Sequence, residues 1–129
     1  MIRFLDMDDL LETHAQQIAN YGGSEGLRDS NLLASAIAQP EASFAGNFLH
    51  ADLYEMAAAY LFHIVSDHPF IDGNKRVGLE AALIFLEING IDLVAADHEL
   101  VDVTLATATG QISKDAIAEF FRTHARQQV

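Results

Sequence analysis

The chain has 129 residues, half of them hydrophobic, enough for a single domain spanning 1–129 to bury very roughly two-thirds of its unfolded surface. Seven Lys and Arg against 19 Asp and Glu give a net charge of -12, the opposite of a nucleic-acid or anionic-membrane binder, so proteins are the expected macromolecular partners. The absence of cysteine excludes disulfides, thiolate nucleophiles and thiolate-held zinc. Acids at 6, 8 and 9 interrupt any signal-peptide core, and no stretch has the ~18 uncharged residues of a membrane span, which points to the cytoplasm.

The hydrophobic spacing predicts an all-α bundle of about six helices. Asp6 opens a helix over 7–20, ended by Gly22 and Gly23; Asp29 or Ser30 opens a second that runs to about 38, where Gln39 and Pro40 stop it. SFAGNFLHA, 43–51, has no helical period and contains Gly46 and Asn47, so it reads as an exposed loop or small hairpin. Asp52, with Glu55 three residues on, starts an amphipathic helix to about Asp67, on which Leu53, Met56, Ala57, Tyr60, Leu61 and Ile64 share a face.

VGLEAALIFLEI is apolar around nearly its whole circumference and therefore reads as a central, buried helix following the HPFIDGNKR loop. Asn89 and Gly90 end it. Asp97 starts a helix to about Ala108, and Ser113 starts the last, with Ile112 and Ile117 placed as a hydrophobic staple and Phe120 and Phe121 as core contacts. Short extended pieces are expected at 2–5 and 91–95.

The chemistry concentrates in HPFIDGNKR, 68–76. Between Asp29 and Ser113 Lys75 and Arg76 are the only cations among twelve acids, and they stand side by side at a helix start, where the dipole opposes them unless an anion binds. Gly73 lets the backbone approach an anion, and the free N–H groups near 74 to 77 add to the positive end of the dipole, so Gly73, Asn74, Lys75 and Arg76 read as a phosphate cradle. Asp72 is a hard oxygen donor of the kind that holds magnesium on nucleotide phosphates. His68 is placed to take a hydroxyl proton, with Pro69 stiffening the turn and Phe70 anchoring it. Each residue alone also has an ordinary structural use: Gly73-Asn74 as turn and cap, Asp72 as a dipole partner, Lys75-Arg76 as a solvated pair. Their coincidence within nine positions argues for function.

These residues resemble the Fic/Doc signature, H-P-F-x-[D/E]-G-N-[G/K]-x-x-R in its Fic form and H-x-F-x-D-A-N-K-R in its Doc (death-on-curing) form. The resemblance extends through IANYGGSEGLRDSNLLASAIAQP, SFAGNFLHADLYEMAAAYL and AALIFLEING, roughly 4 to 90. It implies the Fic fold, His68 as the catalytic histidine, Asp72 as the magnesium-linked acid, Gly73 and Asn74 as anion-hole backbone, Lys75 and Arg76 as catalytic, phosphate-contacting cations, and 43–51 as a flap for target segments. Fic enzymes transfer AMP from ATP to protein hydroxyls, whereas Doc is a kinase that phosphorylates elongation factor Tu and is restrained by a separate antitoxin. Lys75 in place of a second glycine and Leu79 in place of the later arginine are Doc-like; Pro69 and Gly73 are Fic-like. The Fic inhibitory pattern [S/T]-x-x-x-E-[G/N] is absent. The implied function is a Doc-like toxin that uses ATP and magnesium to phosphorylate a cytosolic protein, with an AMP transferase or a catalytically idle binding domain as alternatives.

Elsewhere, His14, His50, His63, His98 and His124 show no ligand spacing, and His63 shares a face with Asp52, Glu55 and Ser66 that reads as solvated. GGSEGLRD, 22–29, lacks the context of a nucleotide P-loop and reads as a connector, with Arg28 pairing locally.

Overall fold

A computed structural model describes residues 1–127. Among them are six helices, α1 (Met7–Tyr21), α2 (Ser30–Ala38), α3 (Leu53–Asp67), α4 (Asn74–Ile88), α5 (Asp97–Ala108) and α6 (Lys114–His124). Four short strands, β1 (Ser43–Phe44), β2 (Asn47–Phe48), β3 (Ile91–Leu93) and β4 (Ala125–Gln127), form two antiparallel ribbons, and the fold is all-α. None of the helices is long and apolar enough to cross a membrane.

Helix starts follow local chemistry. Asp6 accepts from the Asp9 N–H while the Asp9 carboxylate accepts from the Asp6 N–H; Asp29, Asp52 and Ser113 cap α2, α3 and α6 in turn. Each satisfies a main-chain donor that the first helical turn leaves unpaired. Helices α4 and α5 are different: their N-caps are Gly73 and Ala96, and neither residue has a side chain that caps the helix.

The core forms where α3 and α4 pack on each other and on α6. Val77, Ala81, Ala82, Phe85 and Leu86 of α4 are buried, and this helix is exposed only at Lys75 and Glu87, as its apolar circumference predicts. Helix α3 shares the centre rather than being merely amphipathic. Ala57, Ala58 and Ala59 are small enough for α2, α4, α5 and α6 to close round it. Contact is closest at Gly78, where an added Cβ would lie 2.8 Å from Val65 Cγ2 and 3.4 Å from the Leu61 carbonyl oxygen.

The hairpin at 43–51 forms as expected, turning through Ala45 and Gly46, both at positive φ as a two-residue turn between right-twisted strands requires. The extended piece at 91–95 is realised as β3, paired with β4, a strand the sequence reading did not include. Residues 2–5 form no strand. The Asn89 side chain serves them instead, accepting from the Arg3 N–H and donating to the Arg3 carbonyl, both at 2.9 Å. Beside β4, His124 Nδ1–H donates to the Phe120 carbonyl and Nε2 lies 2.9 Å from the Glu99 carboxylate. These two acceptors raise the His124 pKa, and the Ala96 N–H, then His124, lower that of Glu99.

Gly78→Ala is expected to destabilise the protein by ~1–3 kcal/mol through overpacking, read from the denaturant midpoint. For the His124–Glu99 pair, the histidine contribution is complete below its ordinary value of 6.5 and is lost as pH rises through the raised folded value. The Glu99 contribution is present above 4.5 and lost as pH falls through its lowered value. The difference in Tm between wild type and His124→Gln should therefore be largest between those two pH values and shrink on either side, as thermal melts across pH will test.

Candidate active site

The segment joining α3 to α4 is built around a buried clasp. His68 ends α3 in the left-handed conformation (φ 52°, ψ 56°), Pro69 and Phe70 turn inward, and Gly73 (φ 81°) starts α4. Asn74 Oδ1 accepts from the Phe70 N–H and its Nδ2 donates to the Phe70 carbonyl, both at 2.9 Å. Only a side-chain amide both donates and accepts in this way, so the identity of residue 74 follows from the need to satisfy both buried main-chain groups of Phe70. The Phe70 ring stacks on the buried imidazole of His14, centroids 4.0 Å apart and planes 6° from parallel. His14 Nε2–H in turn donates to the Asp72 carbonyl at 2.9 Å.

A second segment, 22–29, lies along this turn and contacts it almost residue by residue. The Gly22 carbonyl accepts from Arg76 Nη2 (3.0 Å), the Ser24 N–H donates to Asp72 Oδ2 (3.0 Å), and the Gly26 carbonyl accepts from the Ile71 N–H (3.1 Å). Leu27 bridges to Phe70, and the Arg28 and Asp29 N–H groups both donate to the Pro69 carbonyl. The Arg28 guanidinium reaches the His68 carbonyl through Nε (2.7 Å) and the Asp67 carbonyl through Nη2 (2.8 Å). Gly23 sits at φ 115°, where a side chain is strained, and a Cβ there would also lie 2.6 Å from Asp72 Oδ2. GGSEGLRD connects α1 to α2 as expected but is also a template for the turn, and Arg28 pairs across the fold rather than locally.

Within this frame the first amide to enter the α4 ladder is that of Val77, which donates to the Gly73 carbonyl, so the free N–H groups are those of Asn74, Lys75 and Arg76 and not of 77. Lys75 is exposed, and among the described residues neither it nor Arg76 forms a carboxylate ion pair. The Arg76 guanidinium is turned toward the end of α1, donating to the Gln17 (3.3 Å) and Gly22 carbonyls and lying 5.9 Å from the Tyr21 ring centroid. Leu79 lines an apolar cleft of about 180 Å³ with Val101, Thr104 and Leu105 of α5, and Lys75 and Arg76 line the same cleft from the start of α4.

The Asp72 carboxylate is exposed, and the Ser24 and Gly73 N–H groups hold its pKa below the ordinary carboxylate value. An ionised carboxylate that still has free lone pairs fits a magnesium ion carried on nucleotide phosphates. Among the described residues no group of three or more His, Asp or Glu could hold a metal by themselves. The His68 ring is exposed, with Nδ1 3.2 Å from the Ser66 carbonyl. A carbonyl only accepts, so Nδ1 carries the proton in this contact and the lone pair of the neutral ring lies on Nε2.

The profile of the Fic/DOC family matches residues 4–86. A protein kinase Doc of Escherichia phage P1 is 36% identical over 121 residues, 94% of each chain. Toxin Doc of Mycolicibacterium smegmatis is 39% identical over 121 residues, 92% of this chain and 90% of its own. The chain belongs to the Fic/DOC family. Within that family it is similar to the Doc toxins along nearly its whole length.

The segment that the sequence singled out is held by two residues to which the sequence did not point. His14 and Arg28 act on partners 58 and about 40 residues away. A hint for His14 was its place one turn from Leu10 and one from Ile18 on the buried face of α1. His63, expected on a solvated face, is half-buried and accepts from Lys114 Nζ at 3.0 Å; burial first, and Lys114 next, push it down to about 4.

Asn74→Ala leaves the Phe70 N–H and carbonyl unpaired in the core and is expected to cost roughly 2–4 kcal/mol, read from urea unfolding.

Proposed function

We propose that this chain is a Doc-like toxin that transfers the γ-phosphate of ATP to a hydroxyl group of a cytosolic protein, a translation factor such as elongation factor Tu. The observation that carries the reading is the uncapped start of α4, with three free amides and an exposed Lys75, one turn of chain from an imidazole whose Nε2 lone pair is free. In a chain this similar to a protein kinase Doc, that pairing supports a phosphotransfer site.

The chemistry follows from the residues. The amides of Asn74, Lys75 and Arg76 and the Lys75 ammonium bind phosphoryl oxygens and offset the charge that builds on them in transfer. Nε2 of His68 takes the proton from the target hydroxyl as its oxygen bonds to the γ-phosphorus, while the bond from that phosphorus to the bridging oxygen breaks and ADP leaves. Asp72 would hold magnesium, which when bound neutralises phosphate charge. The hairpin of β1 and β2 offers exposed Phe44 and Leu49 beside unpaired strand edges, a surface for a segment of the target. Restraint would come from a cognate antitoxin in trans, for which the charge of -12 favours basic contacts.

AMP transfer is the second reading, favoured by Pro69 and Gly73, the latter with the positive φ that lets a phosphate approach the backbone. Purified protein and cell extract incubated with ATP labelled separately at the α and γ positions should label a protein band from γ alone. Label from α would instead establish nucleotide transfer. His68→Ala should lower the rate by ~10²–10⁴-fold and abolish growth arrest on induction. Unchanged toxicity and labelling in that variant would leave a binding domain.

A further inference from the structure

We propose that Arg28 is a positioning residue whose guanidinium fork, clamped on the carbonyls of Asp67 and His68, holds the left-handed turn at His68 and so aims its imidazole; the catalytic consequence rests on the phosphotransfer reading above. A helix that ends in a left-handed residue normally uses glycine or asparagine there, because a side chain at positive φ costs ~1–2 kcal/mol. Here the residue is a histidine at φ 52°, so the surroundings must impose the conformation.

Arg28 supplies that constraint. Its Nε and Nη2 lie 2.7 and 2.8 Å from two successive carbonyls at the end of α3, groups left without an intrahelical partner. A planar guanidinium presents both donors in fixed relation, and its charge complements the negative end of the helix dipole. The arginine is anchored in turn, since its own N–H and that of Asp29 donate to the Pro69 carbonyl and Asp29 caps α2. Among the described residues it makes no ion pair, so its charge is used on main-chain oxygens.

The contacts also separate by task. The start of α4 is held by Asn74, by His14 and by Ser24 through Asp72, none of which needs the Arg28 side chain. Losing that side chain should therefore release His68 while leaving the phosphate cradle in place.

The test uses the full chain as wild type, Arg28→Ala and Arg28→Lys. In Arg28→Ala the backbone Cα and Cβ resonances of His68 should lose their left-handed shifts. Transfer from γ-labelled ATP should fall by about tenfold to a hundredfold at saturating nucleotide, with KM for ATP within about twofold of wild type. Arg28→Lys keeps the charge but offers a single point donor, and should recover part of both signals; it also serves if the alanine variant does not fold. His68 resonances that stay in place in Arg28→Ala, or a loss of rate recovered entirely by saturating ATP, would overturn the assignment. The resonances need no activity, so a wild-type protein that transfers no phosphate rejects the functional reading while Arg28 is still judged by them.

Discussion

The arrangement of the site depends on one interaction, the pairing of 22–29 with the turn between α3 and α4. Neither segment has regular structure of its own beyond an isolated bridge between Leu27 and Phe70. Each supplies the polar partners the other lacks: carbonyls of Gly22 and Gly26, amides of Ser24, Arg28 and Asp29, and the Arg28 fork meet Arg76, Ile71, Asp72, Pro69, His68 and Asp67. Most of these groups lie at the surface, so it is the number of bonds between the two segments, rather than burial, that fixes the path of both. The position of the imidazole relative to the start of α4 is then a property of tertiary contacts, with the helices as rigid supports.

That dependence explains what was legible in the sequence. Asp6, Asp29, Asp52 and Ser113 announced their helices because capping acts within three residues, whereas 43–51 read only as a loop or small hairpin, from its lack of helical period and its Gly46 and Asn47, and the turn falls on Ala45 and Gly46. HPFIDGNKR stood out as a candidate site because its charges conflict with the helix dipole unless something binds. The roles of His14 and Arg28 were hidden because their partners are far along the chain, and β4 because it follows α6 without a turn and pairs with a strand 34 residues earlier. The enclosure of α3 was underestimated for a related reason. Three consecutive alanines score weakly on any face, yet they allow neighbours on every side.

The charges near the turn divide by what they touch. Arg28 and Arg76 are both directed at main-chain carbonyls at helix ends, of α3 and α1 respectively, where each opposes the negative end of a dipole. This use lets cations be held in place within a strongly acidic chain without joining carboxylates. It also means that Arg76, read from the sequence as a phosphate ligand, has a structural commitment that Lys75 lacks.

The consequence bears on the proposed chemistry. A cation on the next turn of α4 would extend the grip, but that turn presents Leu79, which lines the apolar cleft shared with Lys75, Arg76 and α5. What remains at the helix start is compact: three amides, the exposed Lys75 and, at its edge, the Asp72 carboxylate. Such a cluster has its positive potential concentrated where one phosphoryl group can sit, because dipole and amide contributions fall off within the first helical turn. Both transfers leave a charged group to be stabilised, ADP in phosphate transfer and pyrophosphate in AMP transfer, around the centre that reacts. On the reading proposed above, that centre is the terminal phosphate, and the side chain at 79 limits the site as much as the cations at 75 and 76 shape it.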